Sequence, residues 1–466
     1  MKNHQWLLLF LVITSIPSLA QDFPGYRAGN SGGVNAVFFN PANIADSRYK
    51  WDLNILSASG LLANNNATIR FKELRDFEDD KIKTQLFGSK ADPANGLFSG
   101  SVAGPSFMFA LDKKTSFAIT SRARLLINAN AIDGQLASKI IDQVNNGEEL
   151  PYAIRSGENM RAASNGWTEF GLSAARVLSN KNGHFFKGGI SLKYLAGSTA
   201  GYLYVNNLDA TLDEDKASRN YILANSSGQI GVGFAGNSIS NDFSFNDLLA
   251  FKSSGVAADI GFTYEFRPQC GSKKCEDGQG YKLKAGVALL DIGSIRYKRD
   301  NARSGSYNVD ITGDEKFDLS TTEDLDPDEF KRFLSDRPQY FVSVPEGENS
   351  VMKVALPTTL QMEVDYLVHP RFYMNVAGQF SLNQTGDKPY NGRYYNSLTV
   401  TPRYEGRVWG VYVPFSYNGW SKMNAGLSIR AGAFFIGSGS AITALIGDSR
   451  QVDFHFGVRL HGPRLR

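Results

Sequence analysis

The stretch Ala258–Arg267, ADIGFTYEFR, decides the fold class. Ala258, Ile260, Phe262, Tyr264 and Phe266 fall on one side of an extended chain. Asp259, Gly261, Thr263, Glu265 and Arg267 fall on the other. Strict alternation is the mark of a strand whose two faces meet different surroundings. Leu360, Met362, Val364 and Tyr366 repeat it against Gln361, Glu363 and Asp365. Val452, Phe454, Phe456, Val458 and Leu460 repeat it against Asp453, His455, Gly457 and Arg459. Shorter copies occur at Trp51–Ile55, Phe107–Leu111, Arg122–Ile127, Ile190–Tyr194, Val411–Phe415 and Ala425–Ile429.

A soluble sandwich alternates in the same way, and two features select a transmembrane barrel instead. The polar faces carry charge and glycine within strands of about ten residues, the length that crosses a bilayer when tilted. The connections also alternate in length. Leu62–Gly100, Ala129–Gly166, Ala200–Ser254 and Ser294–Leu356 are long, whereas Asp112–Thr115, Ser179–Gly183 and His369-Pro370 are short. Long loops at one end and tight turns at the other are the pattern of an outer-membrane barrel. The expectation is an all-β, antiparallel barrel of about fourteen strands over residues 51–460, with long extracellular loops, both termini periplasmic and a tail at 461–466. The register around Ala433–Gly447 is ambiguous. Pro402 and Pro414 flank the Glu405–Val408 turn, where each removes a ladder donor. They read as two bulges or as a local gap in the wall.

The beginning of the chain fits export. Lys2, an apolar run from Trp6 to Ile16, and small Ser18 and Ala20 read as a cleaved signal peptide over residues 1–20. Cleavage would leave Gln21, which does not fit a lipoprotein, and losing Lys2 lowers the formal charge from +3 to +2. That balance points to no nucleic-acid or other polyanion partner. No later apolar run reaches the length of a transmembrane helix.

Ahead of the first strand lies Gly29–Ser47, GNSGGVNAVFFNPANIADS. Gly29, Gly32 and Gly33 give a permissive start, Val37, Phe38 and Phe39 an apolar knot, and Asn40-Pro41-Ala42-Asn43 a turn. The segment reads as compact and irregular, folded back into the barrel as a plug over residues 21–50.

The order of these parts resembles the FadL-type outer-membrane proteins, and more closely an uncharacterised Bacteroidota branch of FadL-like barrels. The resemblance is carried by Phe38-Phe39-Asn40-Pro41-Ala42, Gly255–Phe266, Ala288–Tyr297, Leu356–Tyr366, Ala425–Gly437 and Asp453–Val458. It implies a monomeric barrel, surrounded by outer-membrane lipid, that passes a hydrophobic small molecule through a movable hatch. Asn40, Pro41 and Ala42 match the family's hatch motif, and with Phe38 and Phe39 they are the gating candidates. The last strand departs from the usual aromatic ending, running to Leu460 and HGPRLR.

Little else suggests chemistry. No HExxH, GxSxG or phosphate loop is present, and neither an enzyme, a cofactor nor a metal is expected. Lys282 and Lys284 are placed beside Glu363 and Asp365, and His455 beside Asp453, as lumen charge pairs. Cys270 and Cys275 are the only cysteines and suit a disulfide closing a periplasmic turn, with a metal site as the alternative. Acidic runs at Asp213–Asp215 and Asp324–Glu329 read as solvated helix starts rather than calcium loops. Ile132, Leu136, Ile140 and Val144, and Phe330, Phe333 and Leu334, mark two short amphipathic helices. Their apolar faces either pack loops onto the rim or form an outward greasy groove. The functional expectation is passive uptake of a hydrophobic compound. The competing expectation is a closed scaffold whose loops hold a protein partner from secretion or surface-lipoprotein machinery.

Overall fold

The computed structural model describes residues 23–463, apart from 69, 71–92, 135, 138–149, 156–158, 238–250, 252, 269–279, 323–324, 326–328, 346–350 and 384–387. The signal-peptide stretch, Cys270 and Cys275 lie outside the described residues. Alternation turns into strands where it was read. The wall begins with β1 (Trp51–Asn64), then β2 (Ala94–Ala103) and β3 (Ser106–Ala110), which form one stave interrupted at Gly104-Pro105. It continues through β4 (Thr115–Ile132), a short β5 (Tyr152–Arg155) outside the wall, β6 (Met160–Lys181) and β7 (His184–Glu214). After β8 (Tyr221–Gly236) come β9 (Ser253–Phe266) and β10 (Leu283–Lys298). Beyond β11 (Gly305–Asp318) and β12 (Phe341–Val344), β13 (Val351–Ala355) and β14 (Thr359–His369) share a stave. Next are β15 (Phe372–Ser381), β16 (Ser397–Glu405), β17 (Trp409–Tyr412) and β18 (Phe415–Asn418), then β19 (Lys422–Ala425) and β20 (Leu427–Ala431). The series ends with β21 (Phe434–Ser438) and β22 (Gln451–His461).

β22 pairs antiparallel with β1 from Asp52↔His461 to Ala63↔Gln451, which closes a fourteen-stranded antiparallel barrel. Closure leaves no sheet edge facing hydrocarbon. The outer face is apolar: Ile119, Leu172, Ile190, Ile260, Met362, Val364 and Phe454 are all exposed. The inner face is polar, with Arg122, Glu169, Lys193, Asp259 and Arg403 buried. An apolar outside and a charged inside are the surfaces of a membrane-spanning wall. Pro402 and Pro414 are bulges, not a gap. The Pro402 carbonyl accepts from Val413 N at 3.1 Å and the Pro414 carbonyl from Gly426 N at 2.9 Å, and pairing resumes on either side.

Two regions depart from the sequence reading. Much of Ala200–Ser254 and Ser294–Leu356 is strand rather than loop. β7 runs on beyond the barrel, and its far half pairs with β5 on one side and β8 on the other. β11 and β12 complete the extension. Leu208, Ala210 and Leu212 alternate with Asp209, Thr211 and Asp213, so the strand signal was present in the sequence. One face of this sheet buries Leu223, Tyr307, Ile311 and Phe317 against the helix α1 (Phe330–Ser335), whose Phe333 and Leu334 are themselves buried. Leu136 joins the same core, while Ile140 and Val144 lie outside the described residues. The apolar residues of α1 are spent on packing and form no open groove. In the ambiguous segment, β21 stops at Ser438 and helix α2 (Ala441–Ile446) takes the place of its upper half, with Thr443 Oγ1 accepting from Ala425 N at 2.7 Å.

Candidate functional site: a lumen closed from both ends

Ahead of β1 the chain makes three 3-10 turns, at Tyr26–Ala28, Gly33–Phe38 and Pro41–Ile44, whose apolar side chains are buried against inward-facing residues of the wall. Asn40 starts the third turn. Its backbone is extended and its Oδ1 accepts from Ala42 N at 2.9 Å, with Pro41 in the first position, where its missing donor costs nothing. The same side chain turns its amide outward, donating to the Phe262 carbonyl at 3.1 Å and the Val287 carbonyl at 3.3 Å. Phe262 and Val287 are cross-strand partners in β9 and β10, so Asn40 grips one rung of the wall.

The turn reaches that rung because the wall has no side chains there. Gly189 in β7 pairs with Gly261 in β9, and a β-carbon on Gly189 would stand 2.5 Å from the Pro41 carbonyl carbon. A β-carbon on Gly261 would overlap Asn40 Oδ1. Around this seat the segment is tied to the lumen on all sides. Ser428 donates to the Pro24 carbonyl at 2.7 Å, and the Asn30 amide donates to Glu405 at 3.0 Å. Val34 N donates to Asp52 at 2.9 Å, and Thr263 donates to Asn43 at 3.0 Å. Arg267 pairs with Asp46 at 2.7 Å. Phe38 lies 4.4 Å beneath the Arg122 guanidinium and Phe39 meets Phe23 edge to face at 5.9 Å.

Above this segment runs a belt of buried charge. Arg122 pairs with Glu169 at 2.6 Å, and Arg124 bridges Glu169 at 3.2 Å and Asp291 at 2.9 Å. Lys193 joins Asp291 at 2.8 Å to Asp259 at 2.7 Å. Asp291 reaches the lumen through a bulge in β10, where its φ is +61°. Every carboxylate of the belt has a cation, as burial demands.

The upper lumen is filled rather than open. Residues 388–396, ahead of β16, fold inward, and Tyr394 and Tyr395 are buried with Trp167, Leu195, Tyr202, Tyr297 and Leu356. Arg124 donates to Tyr394 Oη at 2.9 Å, Asn128 and the Arg393 backbone exchange bonds at 2.9 and 2.8 Å, and Arg161 donates to the Lys388 carbonyl at 3.1 Å. The belt thus touches the lower segment through Arg122–Phe38 and the upper one through Arg124–Tyr394. Between the lower segment and β10 and β14 lies a small cavity lined by Arg27, Phe39, Asn40, Asn43, Gly286, Gln361 and Glu363.

The proposed lumen pairs divide. Lys284 meets Glu363 at 2.8 Å, whereas Asp365 is held by Arg403 at 2.5 Å. Lys282 lies outside this set. It sits before the first residue of β10, donates to the Leu367 carbonyl at 2.6 Å and covers the ring of outward-facing Tyr366 at 4.5 Å. Asp453 and His455 do not pair either. Asp453 accepts from Gly439 N and Ser440 Oγ, both at 2.6 Å. His455 is fully buried between Phe23 and Phe435, and neither ring nitrogen has a hydrogen-bond partner among the described residues. Same-face residues two apart project in parallel, and here a closer partner takes the carboxylate. Among the described residues no group of three or more His, Cys, Asp or Glu side chains is placed to hold a metal ion.

Residues 41–439 match the model of a family described as a family of unknown function, DUF5723. The chain belongs to this family. No curated protein matches this DUF5723 chain by sequence. Among solved structures it is similar to a deltaS2S3 mutant of the monoaromatic hydrocarbon channel TodX, at 9% identity over 96% of this chain and 97% of that one, TM-score 0.43. It is also similar to a Pseudomonas aeruginosa FadL homologue, at 9% identity over 95% and 98%, TM-score 0.41. A third likeness is to the Ralstonia pickettii toluene transporter TbuX, at 10% identity over 92% and 94%, TM-score 0.37. At identities this low the likeness concerns fold alone; the closed ladder and the apolar outer face establish the barrel without it.

Proposed function

We propose that this barrel sits as a monomer in a bacterial outer membrane and admits a hydrophobic small molecule through a lumen gated by residues 23–50. The observation that carries the reading is the seat of Asn40, Pro41 and Ala42 on Gly189 and Gly261. At this side-chain-free patch the turn is held by hydrogen bonds of about 1 kcal/mol each, a set that a ligand can exchange, while Val34, Val37 and Ile44 pack against Met108, Val177 and Phe185 beside it. Phe38, Phe39, Asn40, Pro41 and Ala42 are the gating residues of this reading. The hydrophobic preference comes from the upper lumen, where Trp167, Leu195, Tyr202 and Tyr297 form an apolar and aromatic core that withdrawal of Tyr394 and Tyr395 would uncover. Residues 388–396 form the outer gate and the hatch the inner one, with the charge belt between them.

The test is influx of an environment-sensitive hydrophobic dye into proteoliposomes. The chain lacking residues 23–50, and the milder Phe38→Ala/Phe39→Ala variant, are expected to admit dye faster than the intact chain. Unchanged influx in both would mean a barrel that stays closed and serves a protein partner instead.

A further inference from the structure

Three basic side chains stand together on the outer surface of the wall, with no carboxylate paired to them among the described residues. Arg296 and Lys298 are exposed on β10, and Lys353 is exposed on β13. They face outward, because Ile295, Tyr297, Met352 and Val354, which alternate with them, are buried in the lumen core. Arg296 pairs directly with Lys353 across the ladder, and Lys298 follows on the same face. Like charges directly opposite destabilise a strand pair.

The other cross-strand neighbours offer no relief. Arg296 is opposite Ser254 on β9, and Lys298 is opposite Val351 on β13. No hydrogen bond or ion pair joins Arg296, Lys298 or Lys353 to any described residue, although most buried cations of the lumen have a carboxylate within reach.

The position of the cluster indicates what would neutralise it. Immediately below it the outer surface is apolar: Ile292 on β10, and Val256 and Ile260 on β9, are all exposed. The cations therefore stand at the margin of the apolar band, on the side away from the chain's two ends, with exposed Val351 beside Lys298. An amphiphile in that leaflet would lay its acyl chains along Val256, Ile260 and Ile292 and bring its head group level with the basic cluster. Guanidinium and ammonium groups are suited to phosphate, Arg296 as a planar fork and the lysines as point charges.

We propose that Arg296, Lys298 and Lys353 form a site for the phosphate of an anionic lipid in the outward leaflet, bound on the outside of the barrel. The site rests on the barrel's place in a bilayer and is independent of whether the lumen conducts. It also accounts for a repulsive pair on the ladder, since a bridging phosphate turns the opposition of Arg296 and Lys353 into a shared contact.

The experiment uses the full-length protein reconstituted in nanodiscs of phosphatidylcholine with or without diphosphoryl lipid A, with retained lipid read by native mass spectrometry. The intact chain is expected to retain phosphorylated lipid after exchange into neutral detergent. Each single neutralisation, Arg296→Gln, Lys298→Gln or Lys353→Gln, is expected to lower retention about fivefold, and the triple variant roughly a hundredfold. Lys113→Gln/Lys114→Gln, in the exposed turn at the opposite rim, is expected to leave retention unchanged. Inorganic phosphate at the same phosphate concentration is expected not to displace the lipid; displacement by it would overturn the lipid assignment. Equal retention by the intact chain and the triple variant would overturn the site. A chain that fails to enter nanodiscs of either composition would overturn the bilayer reading itself, a separate result.

Discussion

Gly189 and Gly261 face each other across the β7–β9 ladder, and the space their missing side chains leave is occupied by Asn40, Pro41 and Ala42. The Asn40-Pro41-Ala42 turn and the two glycines that seat it are thus about 150 and 220 residues apart in sequence and in contact in the fold. A β-carbon at either glycine would have to displace the turn, since its neighbours are backbone atoms or a side chain already committed on both edges.

Gly189→Val and Gly261→Val are therefore expected to unseat the hatch while leaving the strands intact. Dye influx should rise and residues 23–50 should become open to protease in assembled barrels. Gly419→Ala, where a β-carbon would meet nothing within 4 Å, serves as the neutral control. Normal influx and full protection in both valine variants would mean that the seat does not hold the hatch.

The Arg124 guanidinium bonds Glu169, Asp291 and Tyr394 at once and lies 4.6 Å over the Trp167 ring. Arg124→Ala leaves Glu169 to Arg122 and Asp291 to Lys193, and losing its charge-assisted hydrogen bonds is expected to cost about 3 kcal/mol in urea unfolding from micelles. Tyr394→Phe keeps the ring and deletes one hydrogen bond, an expected loss of about 1 kcal/mol. Equal losses for the two would contradict the central place given to Arg124.

His455 carries two unsatisfied nitrogens among aromatic rings. Exchanging an unpaired buried polar group for an apolar one of similar size removes its desolvation penalty, so His455→Phe is expected to be neutral or to stabilise by about 1–3 kcal/mol. His455→Ala leaves a void and is expected to destabilise. A large loss in His455→Phe would mean that the imidazole has a partner after all.

Much of the wall was legible because a period of two reports directly on a surface with different solvents on its two sides. Phe38–Ala42 was legible for a local reason, since Asn-Pro after an apolar pair forces a turn wherever it sits. What escaped depends on contacts between distant segments. Gly189 and Gly261 look like any small residues on a polar face until the turn is placed on them. The inward-folding stretch 388–396, with Tyr390, Tyr394 and Tyr395, has no periodicity and reads as a loop. Asp291 breaks the alternation of its strand, and the bulge that aims it at Arg124 leaves no pattern to read. The extension was legible at Leu208–Asp213, yet length alone led to a loop. Lys282 shows how narrow the margin is: one residue outside the strand, it follows the rim rather than the lumen.

The most direct test of gating is a reversible lock between hatch and wall. Thr263 Oγ1 and Asn43 Oδ1 lie 3.0 Å apart, so Asn43→Cys/Thr263→Cys in a Cys270→Ser/Cys275→Ser background places a disulfide across the moving boundary. Dye influx measured on the same proteoliposomes, oxidised and then reduced, is expected to be low when locked and to recover on reduction. Influx that is identical in both states would contradict a hatch that must move for the barrel to conduct.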